Sequence, residues 1–133
     1  MSDRPRILVA DDEERILLLL ETVLDGAGYE VRTSNNGTEA IKSLEENEVD
    51  AVITDMNMPG ANGIEVINAT RRLYGPTIPI IVITAYGSVQ NAVEAMHHGA
   101  TDYLEKPFDM TELRDCLAKW LKEADNSNTQ GPS

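Results

Sequence analysis

Val49-Asp50-Ala51-Val52-Ile53-Thr54-Asp55-Met56-Asn57-Met58-Pro59-Gly60 decides the fold. An apolar run rises to one acid, Asp55, and breaks at Pro59-Gly60. A short run of this kind reads as a strand buried on both faces. Pro-Gly supplies the turn that ends it. Asp55 therefore falls at the carboxyl end of a buried strand. In open parallel α/β sheets that edge is where ligands bind. A lone acid there would read as a turn or capping residue, so the rest of the chain has to decide.

Three further segments repeat the pattern. Arg6-Ile7-Leu8-Val9-Ala10 is a strand ending in four acids, Asp11 to Glu14. Ile78-Pro79-Ile80-Ile81-Val82-Ile83-Thr84 is the most apolar strand, with Pro79 near its start, where a missing donor is tolerated. Thr101-Asp102-Tyr103-Leu104 is a short strand before Glu105-Lys106-Pro107. Tyr29 to Thr33 alternates and reads as a strand nearer an edge.

Helices fall between them. Ile16, Leu20, Val23, Leu24 and Ala27 form one stripe over about Glu14 to Ala27, which leaves Leu17 and Leu18 partly toward solvent. Gly26 and Gly28 supply its left-handed end. A second helix turns Ala40, Ile41 and Leu44 inward and runs to about Glu46. A third, Gly63 to about Leu73, carries Ile64 and Ile67 on one face. Ser88 can cap a fourth with Val89, Ala92, Val93 and Met96 inward. Asp109 and Glu112 form a capping box for the last, which packs Leu113, Cys116, Leu117, Trp120 and Leu121. Five strands alternating with five helices predict a doubly wound parallel sheet of the flavodoxin-like order 2-1-3-4-5. One domain over residues 1–123 follows. Residues 124–133 read as a disordered tail or linker remnant.

Composition narrows the function. The chain has 133 residues, 41% hydrophobic, with 23 acidic against 11 basic residues and a net charge of -12. That balance excludes direct binding of nucleic acid or an anionic membrane surface, both of which need clustered Lys and Arg. One cysteine, Cys116, excludes an internal disulfide and reads as a small core hydrophobe. His97 and His98 sit at a helix end, near the favourable pole of its dipole. No signal peptide or membrane-length apolar run is visible, so the cytoplasm is expected.

In the 2-1-3-4-5 order, strands one, three, four and five are contiguous. Their carboxyl ends bring together Asp11, Asp12, Asp55, Thr84 and Lys106. Three carboxylates in one place need cations. Lys106 supplies one charge, and Mg²⁺, which favours hard oxygen ligands and phosphate company, is expected to supply the rest.

These motifs resemble the receiver domains of bacterial two-component response regulators. The Asp-Asp pair follows the first strand, Asp-x-x-Met-Pro-Gly the third, Thr-Ala the fourth and Lys-Pro the fifth. The resemblance covers about Arg6 to Lys122. It implies that Asp55 accepts a phosphoryl group from a sensor histidine kinase or a phosphotransfer protein. It implies a Mg²⁺ site of Asp11, Asp12, Asp55 and the backbone carbonyl of Asn57. Asn57, Thr84, Ala85 and Lys106 would bind phosphoryl oxygens. Thr84 and Tyr103 would form a switch that controls an output domain, an effector protein or a second copy of the chain. Lys106-Pro107 is usually a cis peptide in such domains, and the domain is a switch rather than an enzyme. The segment from Thr84 to Phe108 resembles the nitrogen-regulation type most. Receivers of that type usually precede an ATPase and a DNA-binding domain, and these 133 residues hold neither.

Two other readings compete. A haloacid-dehalogenase-type phosphatase also uses an Asp nucleophile and Mg²⁺, but needs a second acid where this chain has Asn57. A flavin or nucleotide carrier would need phosphate donors in the first loop, where Asp11 to Glu14 repel phosphate.

Overall fold

Three central strands carry almost unbroken apolar runs and two flanking ones do not, and that difference sets their places in the sheet. The computed structural model describes residues 4–85 and 87–129, with the side chains of residues 126–129 left out. The strands are β1 (Arg6–Ala10), β2 (Glu30–Ser34), β3 (Ala51–Asp55), β4 (Ile80–Thr84) and β5 (Asp102–Glu105). The helices are α1 (Glu14–Gly26), α2 (Gly37–Glu46), α3 (Gly63–Tyr74), α4 (Val89–His97) and α5 (Met110–Thr129). The sheet order is β2-β1-β3-β4-β5, and every pairing is parallel. All of β3 and β4 is buried, while the edge strands β2 and β5 are largely exposed.

Alternate residues of each strand feed two cores. Leu8, Val52 and Val82 pack toward α2, α3 and α4, with Leu44, Val66 and Ala95. Ile7, Val9, Ile53 and Ile83 pack toward α1 and α5, with Leu20, Leu24, Leu113 and Leu117. Asn36 caps α2 by accepting from the Glu39 N–H, and Asn62 forms a reciprocal capping box with Glu65 at α3. Gly28, at φ +100°, turns the chain out of α1.

The structure corrects the sequence reading in four places. Leu17 is buried with Leu20 and Leu24, whereas Leu18 and Leu19 are exposed and Ala27 lies outside the core. A run of five apolar residues does not fix a helix's phase; packing over β1 and against α5 does. In α4 the buried residues are Ala92 and Ala95, and Val89, Val93 and Met96 face outward. Ala95 joins the core cluster that holds Val82 and Ala100, and hydrophobicity alone does not select a face of small residues. Ser88 occupies the N-cap position of α4 but its side chain makes no capping bond. Finally, α5 continues through residues 124–129, expected as tail, because no glycine or proline interrupts it before Gly131. Residues 130–133 lie outside the described residues.

Close backbone contacts hold the loop after β3. A Cβ on Gly37 would overlap the Ala61 carbonyl, and one on Gly63 would lie 2.6 Å from the Asp55 carbonyl oxygen. The first turns of α2 and α3 thus press directly on the segment that carries Asp55. Gly37→Ala should therefore destabilise the fold by about 1–3 kcal/mol. Gly26→Ala, with open space around it and no positive φ, should stabilise it by about 0.4–1 kcal/mol. Urea denaturation of the two variants reads both signs, and a neutral Gly37→Ala would show that the loop is not held by this contact.

Candidate functional site

The register delivers the site. Ala10 pairs with Thr54, so Asp11 and Asp55 lie side by side, one residue further along. Asp55 pairs with Ile83, and Thr84 with Glu105. The Lys106 N–H then donates to the Thr84 carbonyl at 2.7 Å. Asp11, Asp12 and Asp55 each offer an oxygen within 4.8 Å of the others. Asp11 and Asp55 are buried and Asp12 is exposed.

Lys106 reaches into this cluster. Its Nζ lies 3.4 Å from Asp11 Oδ2 and 3.7 Å from Asp55 Oδ2. Its shortest contact, 2.8 Å, is to Glu13 Oε1, a residue to which the sequence reading gave no role. Asp55 Oδ1 accepts from the Met56 N–H at 2.8 Å, and Asp11 Oδ1 from the Glu13 N–H at 2.9 Å.

The electrostatics follow. Burial, and next the neighbouring Asp11 charge, push Asp55 up to about 6, against Lys106 and the N–H groups of Met56 and Asn57. Burial likewise raises Asp11. Burial opposes the charge on Lys106, but the bond to Glu13 and the fields of Asp55 and Asp11 prevail and raise it. The bond to Lys106 holds Glu13 low. Two buried oxygens, Asp11 Oδ2 and Thr84 Oγ1, have no hydrogen-bond partner among the described residues. Hard carboxylate oxygens crowded together, with a buried acceptor unsatisfied, fit a small divalent cation.

The other residues singled out fall around this centre. Asn57 and Ala85 are exposed, in the loops after β3 and β4. Tyr103 lies outside the cluster on the edge strand, 41% exposed. Lys106-Pro107 is cis. His97 and His98 are exposed at the end of α4, their rings edge to face. Cys116 is half-buried, and burial and Asp102 push its thiol up to about 12, so it is not a reactive thiolate.

Asp55 takes up a proton more readily in the folded chain than in the unfolded one. Its ionisation therefore costs the fold nothing below about pH 4 and a growing amount between about pH 4 and pH 6, with the full cost above. Asp55→Asn removes that cost. Without divalent metal, it should be more stable than wild type by about 1–3 kcal/mol near neutral pH, shrinking toward zero as the pH falls to about 4. Urea titrations in EDTA across this range check it; a gain that does not vary with pH would place its origin elsewhere than in the buried charge.

Comparison with known proteins agrees with the fold. Residues 7–118 match the family model for the response regulator receiver domain. The transcriptional regulatory protein PrrA of Mycobacterium tuberculosis is 42% identical over 109 residues, 82% of this chain and 46% of that protein. The transcriptional regulatory protein ZraR of Escherichia coli K12 is 37% identical over 131 residues, 98% of this chain and 30% of that protein. The chain thus spans less than half the length of these relatives. Among solved structures, NtrX from Brucella abortus superposes with a TM-score of 0.88 at 26% identity, over 95% of this chain and 28% of that one. A CheY-like receiver domain protein from Methanospirillum hungatei gives 0.88 at 27% identity, over 94% and 99%. The family match runs from Ile7 in β1 to Ala118 in α5, and the chain belongs to the response regulator receiver domain family.

Proposed function

We propose that Asp55 is the phosphoacceptor of a signalling switch. One observation carries this reading: a buried carboxylate at the sheet edge, beside a second one, faces an ammonium and neighbours the Thr84 hydroxyl, which has no hydrogen-bond partner among the described residues. Asp11, Asp12, Asp55 and the backbone carbonyl of Asn57 would hold Mg²⁺. When bound, Mg²⁺ supplies positive charge where negative charge develops on the transferring group. Thr84, Lys106 and the loop residues Asn57 and Ala85 would receive the phosphoryl oxygens. A carboxylate oxygen of Asp55 attacks the phosphorus of a phosphohistidine. The new O–P bond forms as the P–N bond breaks, and the imidazole keeps the electron pair and takes up a proton.

The receiver unit is residues 1–123, and it promotes only its own phosphorylation and dephosphorylation. A sensor histidine kinase or a phosphotransfer protein supplies the phosphoryl group, in the cytoplasm. Leu18 and Leu19, exposed on α1 near the acidic edge, offer such a donor an apolar foothold. On phosphorylation the Thr84 hydroxyl turns to the new oxygens and Tyr103 follows it inward. That movement is read by an output domain, an effector or a second copy of the chain. The phosphatase reading is disfavoured by Asn57, which cannot act as the second acid. The flavin or nucleotide carrier is disfavoured by the Asp11–Glu14 loop.

Incubation with acetyl phosphate and Mg²⁺ should add one phosphoryl group at Asp55, mapped by mass spectrometry. Asp55→Asn should remain unlabelled, and Asp12→Ala should weaken Mg²⁺ binding at least tenfold by calorimetry. Equal labelling of Asp55→Asn would overturn the assignment. With the phosphate mimic beryllofluoride, amide shifts from Gly87 to Tyr103 should move; a silent segment would remove the switch.

A further inference from the structure

Glu13 breaks a local rule. It is the N-cap residue of α1, a position that favours Ser, Thr, Asp or Asn, and its side chain makes no capping bond. It reaches instead across 93 residues of sequence to Lys106, at 2.8 Å. Departures from local preference concentrate where function demands them.

The distances give the departure a meaning. Lys106 Nζ stands 0.9 Å closer to Glu13 than to Asp55, from 2.8 Å against 3.7 Å. Asp11 Oδ2, fully buried, pairs with the ammonium at the longer distance of 3.4 Å. Lys106 therefore pairs most closely with the exposed rim carboxylate and less closely with the buried pair. An approaching phosphoryl group would sit at Asp55, and the ammonium must shift toward it to bond its oxygens.

We propose that Glu13 is a positioning residue for phosphoryl transfer, holding the Lys106 ammonium at the rim in competition with the phosphorylated form of Asp55. This rests on Asp55 being the phosphoacceptor. Glu13 does not touch the transferring group; it sets how readily Lys106 leaves for it. The Glu13 carboxylate is more than half exposed, so its hold is that of a weak surface ion pair, enough to tune a rate rather than to forbid a reaction.

Glu13→Gln keeps the shape and removes the charge. It should tighten beryllofluoride binding and speed labelling by acetyl phosphate, each about two- to fivefold. Glu14→Gln removes the adjacent acid, which has no ion pair to Lys106 among the described residues, and controls for general charge. Calorimetric Mg²⁺ affinity should fall slightly and equally in both variants. Placed on a Lys106→Ala background, Glu13→Gln should change neither quantity further. The proposal is overturned if Glu13→Gln matches Glu14→Gln in rate, if it slows labelling, if its effect survives in Lys106→Ala, or if it alone loses Mg²⁺ affinity strongly, which would make Glu13 a metal ligand. Wild-type protein that takes no label at Asp55 would instead overturn the phosphoacceptor reading itself.

Discussion

Two buried carboxylates side by side are the constraint around which this fold is arranged. Asp11 and Asp55 follow paired residues of adjacent parallel strands, so the backbone leaves them no room to separate. Burial raises the proton affinity of both, and the Asp11 charge raises that of Asp55 further. One ammonium, Lys106, stands against both and against Glu13 as well. These side chains by themselves leave the site short of positive charge. That deficit weakens the fold near neutral pH, and it is also what would draw a divalent cation to the edge. A stretch that costs stability and binds charge is where a protein gives up some stability for function.

The surrounding structure keeps the carboxylates from relaxing. All of β3 is buried, so the strand cannot tilt to expose Asp55. The Gly63 N–H donates to the Met56 carbonyl at 3.0 Å, and the Gly37 N–H to that of Pro59 at 3.3 Å. Larger residues at either glycine would push the Asp55 loop outward. Glycine serves here as absent bulk, letting two helix starts bear on one loop.

Most of this was legible in the sequence because it depends on backbone periodicity and on strand ends. Buried parallel strands show as apolar runs, and their last residues name the site without any knowledge of side-chain conformation. Asp11, Asp12, Asp55 and Lys106 were found in that way, and the structure brings them together. What could not be read depends on tertiary contacts. The phase of α1 within Ile16 to Leu20 is set by neighbours far along the chain. The inward face of α4 is the small one, and hydrophobicity alone points to Val89, Val93 and Met96. The partnership of Glu13 with Lys106 spans almost the whole chain. Its one local sign was a glutamate where a helix start wants a shorter cap.

The site has one firmly held wall and one less firmly held. On the β4–β5 side, Asp102 on β5 receives the indole N–H of Trp120 at 2.9 Å and so ties α5 to the strand. Arg71 of α3 donates to the carbonyls of Gly75, Ile78 and Gly99, which pins the end of α4 to the end of α3. The start of α4 is held more lightly: Ser88 makes no side-chain cap, the Gly87 N–H donates to the exposed Glu105 carboxylate at 2.8 Å, and the helix buries only two alanines among the described residues. Yet it is this loosely held end that follows Thr84, whose buried hydroxyl has no partner among the described residues. Small apolar contacts and an unsatisfied cap give little resistance to local rearrangement. A charge arriving at Asp55 would therefore act on the part of the wall that yields most easily, while Arg71 and the β5–α5 tie keep the movement from spreading into the core.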